Sequence, residues 1–293
     1  MRGRKGLASS NGEDVKDPQP GLPDGEQMSA DAADLSQKVR NWLETQGYPL
    51  ELKVAQHLRH AGARVVQSEY YTDPEDEQGT SREIDVRASW SKVNSPDTGP
   101  VTIARVTLAV ECKRSIDKPW VAFTSTSGGL AGPARVIQRA SDSRGQRFLR
   151  SVMSVREIQD LPLLGLPERV AHGVTQAFTS GNDVAYQAIM SAAKAAKTMS
   201  SPKGRGSARF MEIVFPVVVV EGRLFECFLS DANEIEVRAC DRAVLVWRRE
   251  VVDIHTIVHV VTSDAFEAFS REAAASADVL LSTAFEKKFW TLS

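Results

Sequence analysis

Apolar positions recur every three to four residues in two early stretches and every second residue in several later ones. Leu35, Val39, Trp42 and Leu43 fall on one helical face that stops at Gly47. Pro49 suits the first turn of a second helix, with Leu52, Ala55 and Leu58 on its buried side and Gly62 at its end. Residues 63–72 and 81–90 read as strands on either side of the acidic turn Asp73-Pro74-Glu75-Asp76-Glu77. Turn formers (Asn94, Pro96, Asp97, Gly99, Pro100) fill 92–100, and 101–113 is apolar on both faces in its middle, as in a central strand.

Farther along, 115 to about 180 carries no clear period and is expected to be irregular, with a Ser/Gly stretch over 124–132. Asn182 or Asp183 can cap an Ala-rich helix over 184–199. A basic loop leads into a strand over 211–220, which Glu221-Gly222 is expected to turn back into a strand over 224–229. Strands over 235–238, 244–247 and 254–261 and an amphipathic helix over 264–281 complete the chain. This order predicts an α/β fold with a mixed central sheet flanked by helices. The expected division is a disordered tail over 1–33, which has no aromatic residue, and a single domain over 34–293.

The charge balance narrows the function. Thirty-six Lys and Arg against 38 Asp and Glu leave a net charge of -2, so a polycationic binder is excluded and any nucleic-acid site must be a local patch. The longest apolar run, 213–220, is interrupted by Pro216 and falls well short of the roughly 20 residues of a membrane helix. No apolar stretch follows Arg2, Arg4 and Lys5, and the three cysteines form no C-x-x-C pair. A cytoplasmic protein without a disulfide framework is the expectation.

Four acid-x-Lys triplets occur, beginning at Asp14, Glu51, Glu111 and Glu286. Only Glu111-Cys112-Lys113 ends a β run, where positions i and i+2 project to one side. An antiparallel hairpin pairing Asp85 with Glu111 is centred on Thr98, inside the strongest turn signal of the region. That register sets the two carboxylates about 5 Å apart, where they repel unless a cation lies between them. Two hard oxygen donors suit Mg²⁺ or Mn²⁺, and the Lys113 ammonium one pleat along faces the same place. A hard cation beside an ammonium group is the combination that phosphodiester hydrolysis uses.

Asp85 followed across a hairpin by Glu111-x-Lys113 resembles the PD-(D/E)XK nuclease superfamily, the restriction-endonuclease-like fold. The resemblance covers about 48–220, leaving 221–293 as a C-terminal hairpin and helix extension. It departs from the family pattern where Ile84 stands in place of proline. It implies a metal-dependent deoxyribonuclease, in restriction or defence, with Asp85, Glu111 and Lys113 catalytic and Mg²⁺ or Mn²⁺ as cofactor. Asp85 and Glu111 would ligate the metal together with the Cys112 carbonyl, and Glu51 would stand where many members add a glutamate from the first helix. Glu51 equally suits the first turn of a helix on electrostatic grounds. DNA is the implied partner, and members that cut two strands often pair as homodimers. An RNA-directed nuclease and a non-catalytic nucleic-acid-binding or sensor module on the same fold are the alternatives.

Two basic stretches follow this motif along the chain. One carries Arg135, Arg139, Arg144, Arg147, Arg150 and Arg156 with a single acid, Asp142; the other carries Lys194, Lys197, Lys203, Arg205 and Arg209. Either can hold phosphates, and either equally reads as a solvated surface. His255 and His259 have the spacing of a helical zinc pair, but their β-branched neighbours place them in a strand. Cys112 alternates away from Glu111 and reads as a packed cysteine rather than a nucleophile.

Overall fold

The computed structural model describes residues 25–95, 97, 100–126, 141–181, 183–201, 209–247 and 256–286, with side chains from residue 32 onward. The tail up to residue 24, the turn residues Pro96, Thr98 and Gly99, and Arg135, Arg139, Lys203, Arg205 and His255 lie outside the described residues. The chain divides into two units, one ending at Thr45 and the other spanning Gln46–Ser293. The first contains helix α1 (Gly25–Glu44), which starts well before Leu35 because Met28 and three alanines favour helix ahead of the apolar face.

The larger unit opens with α2 (Tyr48–His60), started by Pro49 and ended near Gly62, whose φ of 79° is left-handed. Its buried face is Leu50, Val54, Ala55 and Leu58, whereas Leu52 is exposed, a correction of one helical step. Three antiparallel strands follow: β1 (Arg64–Thr72), β2 (Ser81–Asn94) and β3 (Thr102–Thr126). The β2–β3 register pairs Val86 with Val110 and Asn94 with Thr102, which is the register expected from a turn centred on Thr98.

The span expected to be irregular is structured over most of its described length. β3 runs on to Thr126, and α3 (Ser143–Val152), the single turn α4 (Arg156–Gln159) and β4 (Arg169–Gln176) come next. α5 (Val184–Ser200) is capped by Asp183, whose carboxylate accepts from the N–H groups of Ala185 and Tyr186. It carries the chain to β5 (Arg209–Leu229), parallel to β3. β5 does not turn back at Glu221-Gly222. There β3 bulges instead, with Ser115 opposite Gly222 and Trp120 opposite Leu224, so that 116–119 are unpaired with β5.

β6 (Ile235–Ala239), β7 (Arg242–Trp247), β8 (Thr256–Thr262) and α6 (Phe266–Glu286) finish the unit. The sheet is mixed, in the order β1-β2-β3-β4-β7-β8-β5-β6, and a further β3–β5 pairing closes β3, β4, β7, β8 and β5 into a ring. Residues 221–293 are therefore no appendage, because β7 and β8 sit between β4 and β5 and complete the core. Among the described residues, no helix is long and apolar enough to cross a membrane.

Layering follows from alternation. Val217 and Val219 pack with α2, α3 and α6, while Val218 and Val220 pack with α5 on the other face, and all four are fully buried. Each such side chain contributes about 1.5–3 kcal/mol relative to exposure, which explains the unbroken valine run. On the α5 side the helix presents Ala185, Ala188, Ala192, Ala195 and Ala196, all without exposed surface. Those small residues let its backbone approach the strands closely.

Candidate active site

At one place the strand alternation fails. Val86 packs with α2 and α6, yet Ile84, two residues earlier, packs with Ala195 and Ala196 of α5. In a regular strand these two share a face. On β1, Ser68 falls between the pairs Gln67–Val86 and Glu69–Ile84, opposite Asp85, and has a left-handed φ of 52°. The β1–β2 pair is thus irregular where it presents Asp85, and such irregularities re-aim a side chain.

Asp85 Oδ2 accepts the Cys112 N–H at 2.6 Å, so the aspartate is tied to the main chain between Glu111 and Lys113. Lys113 Nζ donates to Glu111 Oε1 at 2.6 Å. The second oxygen, Oε2, accepts from Ser191 Oγ on α5 at 2.9 Å, and the Ser191 carbonyl accepts from Tyr71 OH at 3.2 Å. Asp85, Glu111 and Lys113 therefore stand together at the hairpin position expected from the sequence. Glu51 is near enough to Asp85, Glu83 and Lys113 for their charges to act on it.

The electrostatics are those of crowded, half-dry carboxylates. Burial, and then the charge of Asp85, push the Glu111 carboxyl up to about 7, against the opposing pull of Lys113 and Ser191. Burial raises Asp85 as well, opposed by the Cys112 N–H and by Lys113. Glu51 is raised by burial first and by Asp85 and Glu83 next. Burial by itself would lower Lys113, but Glu111 and Asp85 outweigh it and keep the ammonium charged. Cys112 is buried in the α2 layer and its thiol is pushed well up by desolvation, as expected of a packed cysteine.

Among the described residues, no three His, Cys, Asp or Glu side chains are placed to hold a metal ion together. The carboxylate set is two, Asp85 and Glu111, with Glu51 acting from farther off. Two hard, mutually repelling oxygen groups fit Mg²⁺ or Mn²⁺ chemically, since such ions complete their shell with water beyond one or two carboxylates.

The basic patches fare differently. Lys194 is not available to a phosphate: its ammonium lies 2.8 Å from Asp73 Oδ2 and 3.3 Å from Glu75. Arg144 donates to the Phe210 carbonyl at 3.4 Å, while Arg147 and Arg150 are exposed on α3. α3 packs into the layer of α2 and α6, on the sheet face opposite α5 and Ser191. His259 is no zinc ligand; it is fully buried between Arg242, at 3.0 Å from Nδ1, and the Leu163 carbonyl, at 3.3 Å from Nε2. Burial and the Arg242 charge lower it to about 3, so it is neutral, accepting at Nδ1 and donating at Nε2.

Ser191, Tyr71 and Asp73 were not singled out from the sequence. A serine on an alanine-rich helix carries no motif, and only the approach of α5 to β3 gives it a role.

Compared with protein-family models, with curated proteins and with solved structures, the chain matches none.

Proposed function

We propose that the chain is a metal-dependent nuclease of the PD-(D/E)XK kind, hydrolysing phosphodiester bonds in DNA. The observation that carries the reading is the convergence of Asp85, Glu111 and Lys113, with Lys113 Nζ 2.6 Å from Glu111 and Asp85 2.6 Å from the Cys112 N–H. The element order supports it: a helix (α2), an antiparallel three-strand meander (β1–β3), a helix (α5) and a strand parallel to the third (β5), with α3, α4 and β4 inserted between β3 and α5.

Asp85, Glu111 and the Cys112 carbonyl would hold Mg²⁺ or Mn²⁺, with Glu51 reaching it through water. The ion would supply Lewis acidity and a bound water of lowered pKa. Glu111 keeps the Lys113 ammonium beside this place, where it can hold the attacking water and offset charge gathering on the phosphate. Ser191 fixes the plane of Glu111, leaving its orientation independent of substrate. Burial of Glu111 and half-burial of Asp85 partly dry the site and strengthen each of these interactions. Arg147, exposed on α3, would contribute phosphate contacts outside the centre.

The test is cleavage of plasmid DNA by the purified chain with Mg²⁺ or Mn²⁺ and with chelator. Asp85→Asn, Glu111→Gln and Lys113→Met should each lower the rate by orders of magnitude. The double variants should be little worse than the singles, because the three serve one transition state. Wild-type rates in Asp85→Asn and Lys113→Met would overturn the proposal.

One observation favours a second reading, a non-catalytic module on the same fold. Both Glu111 oxygens are already engaged, and no three-ligand set exists among the described residues. A wild type that binds neither metal nor cleaves DNA or RNA decides for that module.

A further inference from the structure

At the end of the sheet, β6 pairs with β5 alone among the described residues, joining Leu229 to Ile235, Cys227 to Val237 and Phe225 to Ala239. Directly paired residues share a face, so one side of this ribbon is apolar. It is uncovered: Leu229 is 61%, Ile235 74% and Val237 57% exposed. The opposite side is charged, with Arg169 and Arg238 stacked on the Phe228 ring at 3.8 and 4.7 Å and Glu236 beside Arg238.

The backbone is also unfinished there. Cys240 N–H donates to the Leu224 carbonyl at 3.0 Å and Ser230 N–H to the Glu234 carbonyl at 2.9 Å. These bonds direct the even-numbered residues of the strand inward. The N–H and C=O groups of Ile235, Val237 and Ala239 therefore point to the open edge. An apolar edge of this kind, without proline or an inward-pointing charge to blunt it, is a template for another strand.

The sequence of β6 specifies which strand. Ile-Glu-Val-Arg-Ala is complementary to itself about Val237. In an antiparallel pairing centred there, Ile235 faces Ala239 of the second copy, and Glu236 faces its Arg238 twice over. The three odd-numbered residues are those whose polar groups already face outward, so each meets a partner in hydrogen-bonding phase. We infer that β6 is a two-fold interface through which a second copy of this chain adds edge to edge, making one continuous sheet across the dimer. This goes beyond the nuclease proposal and does not rest on it. A five-residue ladder is a small interface, so the association is of the weak, reversible class.

Sedimentation of the full chain between about 1 and 100 μM should show a reversible monomer–dimer equilibrium. Glu236→Arg alone and Arg238→Glu alone each oppose like charges at two symmetric positions and should weaken the dimer by at least about tenfold. The double exchange Glu236→Arg with Arg238→Glu should restore it, and an equimolar mixture of the two single variants should form a heterodimer. Val237→Pro deletes an outward N–H at a position where an edge strand tolerates proline, and should give a monomer that melts as the wild type does. A wild type monomeric throughout this range overturns the inference, including the case where a different protein occupies the edge. So does a dimer indifferent to Val237→Pro, or a double exchange no better than the singles.

Discussion

Ser191 Oγ donates to Glu111 Oε2 at 2.9 Å, joining two residues 80 positions apart in the chain. The alanines on the buried face of α5 make this contact reachable, because a side chain as short as serine spans only a close helix–sheet approach. Ser191→Ala should leave the Lys113–Glu111 pair in place but deprive the buried carboxylate of a donor. The Glu111 carboxyl should then titrate above its present value of about 7, followed by NMR of a side-chain-labelled sample. Stability at pH 8 should fall by about 1.5–3 kcal/mol, the usual cost of removing a hydrogen bond to a charged group. An unmoved titration would reduce Ser191 to a space filler.

Glu111 itself gives the fold a pH dependence. Its carboxyl titrates near 4.5 when unfolded and about 7 when folded, raised by burial and by Asp85. The folded state therefore holds the proton more tightly, and this contribution is full below pH 4.5 and lost as pH rises through about 7. Glu111→Gln removes that dependence. Relative to the variant, the wild type should lose up to about 3 kcal/mol between pH 4.5 and 8, measured by urea unfolding at several pH values. Added Mg²⁺ should return part of the loss in the wild type alone. A difference between the two proteins that is flat with pH would contradict this account.

Much of the site could be read from the sequence, for a local reason. Asp85, Glu111 and Lys113 lie on two strands joined by one turn, so alternation and the turn centre are enough to set them side by side. Ser191 and Tyr71 were out of reach because they arrive through packing of distant elements, which no spacing records. The bulk of the sheet was legible as period-two runs. Glu221-Gly222 reads as a turn because glycine is a turn former, but in a strand glycine also marks close backbone approach, as it does here. Likewise 115–126 reads as polar and broken because β3 bulges there and shows its outer residues to solvent.

Gly222 sits where the backbones of β3 and β5 approach each other closely. A Cβ on this residue would lie 2.3 Å from the Ser115 carbonyl oxygen and 2.9 Å from its carbon, both main-chain atoms. Backbone cannot swing aside as a side chain does, so Gly222→Ala must separate β3 from β5 or distort the bulge. The expected loss is about 2–3 kcal/mol by thermal or urea unfolding, within the range for strained or overpacked positions. If Gly222 merely formed an exposed turn, the same change would cost almost nothing.

Asp73 links the β1–β2 loop to the helix that carries Ser191. Its side chain is 1% exposed, and Oδ2 accepts from Arg82 Nε at 2.6 Å and from Lys194 Nζ at 2.8 Å. Oδ1 accepts the Glu75 N–H at 3.1 Å. Burial alone would raise this carboxyl, but the bonds from Lys194 and Arg82 outweigh it and hold it below the usual aspartate range. The stability it contributes is therefore present above the unfolded pKa of about 4 and lost as pH falls through the lower folded value. Asp73→Asn keeps the shape, removes the charge and leaves two cations facing one amide. Unfolding in urea at pH 7 should show a loss of about 2–3 kcal/mol, shrinking as the pH is lowered below 4 and the wild-type carboxylate takes up its proton. Because Lys194 lies one turn beyond Ser191 on α5, loosening this clamp should also raise the Glu111 titration, in the same direction as Ser191→Ala but by less. A gap between the two proteins that is as wide at pH 3 as at pH 7 would mean that shape, and not charge, is what Asp73 supplies.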